Sequence, residues 1–87
     1  MTHYLILLFE PYAKKLGLEL LRDDLKHLSS IMSHIPYDQR KYALKTYASI
    51  WTEAMAKCEN PIAAQNSGRS TANQYLNSLL KDQRNVE

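Results

Sequence analysis

Cysteine is nearly absent from this 87-residue sequence: Cys58 stands alone, so no disulfide can form within the chain. A lone thiol points away from the disulfide-stapled class of small secreted domains and towards a reducing compartment, the cytoplasm. Glycine is scarce too, and the isolated Gly17 and Gly68 cannot build a phosphate-cradling loop. Valine occurs once and no Asn-Gly or Asp-Gly pair is present, so the usual signs of strands and hairpins are missing. No charge of one sign dominates, with eleven Lys and Arg against nine Asp and Glu, a net +2. Nor do the bases cluster: residues 1–36 hold four of each sign, and residues 37–60 hold four bases against three acids. A protein that depends on phosphate contacts concentrates its bases, and this one does not. Long apolar runs are lacking as well. The longest, Tyr4-Leu5-Ile6-Leu7-Leu8-Phe9, is far short of the roughly 20 residues a spanning helix needs. No Lys or Arg precedes it and Glu10-Pro11 follow directly, which does not fit a secretory signal.

What is present is helical spacing. The three prolines, Pro11, Pro36 and Pro61, punctuate the chain into helix-length pieces. In residues 2–16, Thr2 can cap a start, and Pro11 predicts a kink or a break. One arrangement is a short helix to Phe9 and a second turn from Glu10; the alternative is a buried strand over residues 4–9. Gly17 suits the positive φ of a helix C-terminus. Over residues 18–34, Leu18, Leu21, Leu25, Leu28 and Met32 form one apolar stripe, with Leu20 and Ile31 widening it. Arg22, Asp23, Lys26 and Ser30 take the outer face, and Pro36 ends the element.

Residues 37–58 carry the strongest helical pattern. Leu44, Tyr47, Trp51, Ala54 and Cys58 recur at steps of three and four, and Asp38 sits where the helix dipole favours an anion. Asn60-Pro61 closes this helix and opens the next as cap and first residue. In the last segment Ala72, Tyr75, Leu76, Leu79 and Leu80 make the apolar stripe, after a small, polar stretch over 65–74. Gly68 is a candidate break between two helices, with Ser70 or Thr71 capping the second, and residues 82–87 are expected to fray. The expected fold is all-α, a single domain over 1–87 built as a compact bundle of three to five helices.

Catalytic patterns are missing. Cys58 falls on an apolar helix face, where a buried small hydrophobe is the expectation, and no Cys–His signature pairs it with His3, His27 or His34. His27 and His34 are seven residues apart, too far to share one metal on a single helix. Glu19 and Asp23-Asp24 read as a solvated charged face beside Arg22 and Lys26. No catalytic residue, metal ligand, cofactor or small-molecule substrate is therefore assigned. A chain this small has a thin stability margin, so association, with another protein or with itself, is the natural supplement.

Two binding classes are left. Arg69, Ser70, Thr71, Asn73 and Gln74 are residue types that read base edges, which suggests a helical DNA-binding regulator, but one arginine without a basic flank is weak support. For protein recognition, Tyr42 lies opposite Leu44 and Trp51 on the helix wheel, near Arg40 and Lys41, a composition found at interface hot spots. Tyr47 and Tyr75 fall on core stripes. From residue type, the contact is placed near Arg40, Tyr42, Arg69 and Tyr75.

Three stretches carry a resemblance: His3-Tyr4-Leu5-Ile6-Leu7-Leu8-Phe9-Glu10-Pro11-Tyr12-Ala13, residues 18–40, and Gln65-Asn66-Ser67-Gly68-Arg69 with Ala72-Asn73. Together they resemble the small derepression proteins of satellite phages in enteric bacteria, the epsilon-type antirepressors. That resemblance implies a protein of the bacterial host cytoplasm that binds the immunity repressor of a helper prophage and so frees its lytic genes. It transfers no interface residue.

Overall fold

The computed structural model describes residues 2–84, with side chains over residues 4–82, and consists of helices throughout. The order is α1 (Thr2–Lys15), α2 (Arg22–Met32), α3 (Tyr37–Lys57) and α4 (Pro61–Arg84). It is an all-α bundle, as the spacing predicts. Its long axis of 41 Å is set by α4, whose 24 residues reach roughly 36 Å at 1.5 Å per residue.

α3 and α4 form the central pair. Only residues 58–60 separate them, and so short a link makes neighbours antiparallel. The turn is built by Asn60, whose side-chain oxygen accepts the Ile62 amide at 2.9 Å while its carbonyl accepts that of Ala63 at 3.1 Å. Asn60 and Pro61 thus act as cap and first residue, as expected. Trp51 and Tyr47, both fully buried, project from α3 into the core with Leu44, Ala43 and Ala48. Each large side chain of this kind stabilises the fold by roughly 1.5–3 kcal/mol through burial alone. α1 lies across them through Phe9, whose ring meets Tyr47 edge-on with centroids 6.1 Å apart. Leu28, Ile31, Met32 and Ile35 close the core from α2 and the turn after it.

Several local expectations are corrected. α1 is one continuous helix through Pro11, neither a broken pair nor a strand. Pro11 cannot donate to the Leu7 carbonyl, but both residues lie on the exposed side, where water can take that bond. The proposed Thr2 cap lies outside the residues whose side chains are described. α2 begins at Arg22, not at 18, because Gly17 turns the chain at φ 86° and residues 18–21 cross to the next helix. Leu21 consequently caps α2 from an exposed position, while Leu18 and Leu28 stay buried. α4 is unbroken at Gly68, and Thr71 donates its hydroxyl to the Ser67 carbonyl at 2.9 Å within the helix. Of the segment expected to fray, residues 82–84 are helical and residues 85–87 lie outside the described residues.

Candidate protein-binding surface

Residues 4–9 are apolar at every position, so a helix through them is apolar around its whole circumference and cannot direct every side chain to one core. α1 resolves this by burying Ile6, Phe9 and Ala13 and leaving Tyr4, Leu7, Leu8 and Tyr12 exposed. Positions 4, 8 and 12 follow one another along the helix, with 7 beside them, so the exposed four make one stripe. Leu8 is 56% exposed, a large apolar side chain with no internal partner for most of its surface. Between this stripe and α3 runs a groove of about 300 Å³, lined by Leu5, Leu8, Phe9, Tyr12, Leu44, Lys41 and Lys45.

A second furrow along α3 shares Lys41 and Lys45 with the groove and is otherwise lined by Asp38, Tyr42, Thr46, Ser49, Ile50 and Glu53. Tyr42 is exposed here, as its wheel position predicts. Tyr75 of α4 reaches the same region. Partial burial raises its hydroxyl pKa, a hydrogen bond with Thr46 lowers it, and Tyr42 raises it. Tyr42 and Tyr75 are therefore neighbours. Arg40 is elsewhere, its Nε donating to the Ile35 carbonyl at 2.8 Å and its guanidinium 5.6 Å from the Tyr37 ring centroid.

Arg69, the fourth expected contact residue, is held by the fold. Its Nε bonds both carboxylate oxygens of Asp24, at 3.0 and 2.9 Å. Its Nη1 donates to Asn66 at 2.9 Å and its Nη2 to the Glu19 carbonyl at 3.0 Å. The guanidinium also stacks 5.1 Å from the Trp51 ring centroid. Asp24 is buried, which corrects its placement on a solvated face, and its Oδ2 also accepts the Leu21 amide at 2.9 Å. Gln65 completes the node. Its Oε1 accepts Trp51 Nε1 at 3.0 Å and the Glu19 amide at 3.1 Å, and its Nε2 donates to the Gly17 carbonyl at 2.8 Å. Arg69 and Gln65 together tie α4 to the α1–α2 link and to α2.

The side chains with potential chemistry are scattered. Cys58 is half-buried just past the end of α3, not on its apolar face, and its thiol donates to the Asn60 carbonyl at 3.4 Å. His27 is half-buried on α2 and His34 exposed in the turn after it. Among the described residues no group of His, Cys, Asp or Glu is placed to hold a metal ion, and no helix is long and apolar enough to cross a membrane. Compared with family models, curated proteins and solved structures, the chain matches none.

Sequence reasoning missed the α1 stripe and the Asp24–Arg69 pair. The first had a signal, the circumferential apolarity of residues 4–9. The second had half of one, an acid at the third position of α2.

Proposed function

We propose that this chain is a non-enzymatic, protein-binding regulator of the antirepressor type, acting in the bacterial cytoplasm. It captures the immunity repressor of a helper prophage through the α1 stripe and the adjoining α1–α3 groove. The observation that carries this reading is the exposure of Tyr4, Leu7, Leu8 and Tyr12 along one side of a helix whose other side is core. A soluble chain exposes such a stripe at a risk of aggregation unless something covers it. Tyrosines at both ends, and Tyr42 and Tyr37 exposed on α3, match the residue types that dominate protein interfaces. The mechanism is mass action: repressor held in the complex is withdrawn from its operators.

The DNA-binding reading draws less support. Arg69, the one base in its recognition stretch, is engaged with Asp24, Asn66 and Glu19, leaving Ser70, Asn73, Gln74 and Asn77 as the polar lining of that face.

The test is release of operator DNA. Repressor bound to labelled operator is titrated with the chain, and the expected result is stoichiometric loss of the repressor–operator band. A repressor that stays on its operator at every ratio rejects the reading. Direct shift of the DNA by the chain alone, steeply weakened by salt, supports the DNA-binding reading instead.

A further inference from the structure

We infer that the α1–α3 groove takes an acidic amphipathic helix of the partner, its apolar residues seated between Leu8 and Leu44 and its carboxylates held by Lys41 and Lys45. The inference rests on the reading of this chain as a protein-binding regulator and adds the chemistry of what it grips.

The floor of the groove is apolar, from Leu5, Leu8, Phe9 and Tyr12 on α1 and Leu44 on α3. Its charged lining is of one sign. Lys41 and Lys45 stand one turn apart on α3, both exposed; no acid lines the groove itself, and Asp38 and Glu53 line the furrow on the far side of the same lysines. Among the described residues neither lysine is in an ion pair, the pairs being Lys57–Glu53 and Arg69–Asp24. Further along α1, Lys14 and Lys15 are also exposed near the stripe. An apolar trough with a basic wall attracts a segment that is apolar on one face and acidic beside it. Leu5 to Tyr12 spans seven steps of α1, roughly 10 Å or two helical turns. A partner helix with apolar residues at i, i+3, i+4 and i+7 covers that length.

Charge also argues against a second copy as the occupant. A symmetric dimer through this groove places each patch on its twin, whose lining offers the lysines no acid. A foreign acidic segment satisfies them.

The experiment uses two synthetic peptides of about 15 residues, long enough for marginal helicity, both with leucines at the i, i+3, i+4, i+7 spacing. One carries Glu along its flanks and the other Lys. Binding to the intact chain is read by fluorescence anisotropy at low and moderate salt. The acidic peptide is expected to bind at least about tenfold more tightly, a difference that shrinks with salt. In the double variant Lys41→Glu, Lys45→Glu the preference reverses, and in Leu8→Asp both peptides lose binding. Circular dichroism checks that each variant keeps its helicity, and the wild-type comparison stands whatever the variants do. Equal binding of the two peptides by the wild-type chain overturns the inference. So does an acidic preference that survives charge reversal, or a wild-type dimer that Leu8→Asp dissolves. Repressor capture sensitive to Leu8→Asp but indifferent to reversal of both lysines sinks the inference while sparing the antirepressor reading. A reversible peptide preference with no repressor capture supports the inference and removes the repressor as partner.

Discussion

Trp51 lies against the backbone of α4 at Gly68, so close that a Cβ there overlaps Cδ1 of the indole and comes within 2.7 Å of Nε1. Gly68 is thus a packing glycine. In an ordinary helix interior Gly→Ala gains up to about 1 kcal/mol of helix propensity. Here Gly68→Ala is expected to lower stability by about 1–3 kcal/mol, as overpacking of a filled site does. Urea unfolding followed by Trp51 fluorescence reads the difference, and a stabilised variant contradicts the close approach.

Arg69 and Asp24 predict a larger loss. Asp24 is buried and keeps only the Leu21 amide if the guanidinium goes. Breaking such a pair costs roughly 3–5 kcal/mol in a fully buried setting, and the lower part of that range is expected because a fifth of the Arg69 side chain meets solvent. Arg69→Ala should therefore lose stability in denaturant titration before any effect on partner capture is interpreted. A variant as stable as the wild type shows that the node does not hold α4 to α2.

Tyr47 makes stability fall at alkaline pH. Burial holds its hydroxyl well above the ordinary tyrosine range, Asp24 adds to the rise and Arg69 opposes it. The unfolded chain ionises near pH 10, whereas the folded chain keeps its proton, so the folded state binds more protons there. The stability Tyr47 contributes is full below pH 10 and declines as pH rises above it. Tyr75, whose pKa is also raised, acts in the same direction. Tyr47→Phe should flatten the decline, and because the buried hydroxyl has no hydrogen-bond partner among the described residues, it should change stability little at neutral pH. An unchanged alkaline slope in denaturant midpoints contradicts this account.

Tyr42 serves as the clean surface probe. It is exposed and belongs to no core contact, so Tyr42→Ala should leave stability within about 0.5 kcal/mol. If the furrow beside the groove belongs to the interface, the same change weakens repressor capture by about tenfold, an effect of 1.4 kcal/mol, measured by calorimetric titration. Full capture by the variant confines the interface to the α1 side of the lysines.

The all-helical fold was legible because period and punctuation agree. Leu44, Tyr47 and Trp51 on α3, and Ala72 and Leu76 on α4, are buried as their spacing predicts. The exceptions are where tertiary contact overrides local preference. Gly68 is a helix breaker by propensity, yet Trp51 needs the space it leaves. Asp24 and Arg69 are surface residues by type, and only the fold brings positions so distant in sequence to hydrogen-bonding distance. At the candidate surface, the exposure of Tyr42 was readable from its wheel position, while the partial burial of Tyr75 agrees with its place on the apolar stripe of α4. The exposed side of α1 was not readable, because residues 4–9 give no polar face by which to orient the helix.

Leu8→Asp is the most direct test of the central claim, that the apolar side of α1 is the gripping surface. Leu8 is exposed, so the charge is carried without entering the core. Repressor–operator complexes are titrated with wild-type chain and with this variant, at matched helicity. The account predicts that the wild type empties the operator while the variant leaves it occupied. A variant that empties it as well as the wild type contradicts the account.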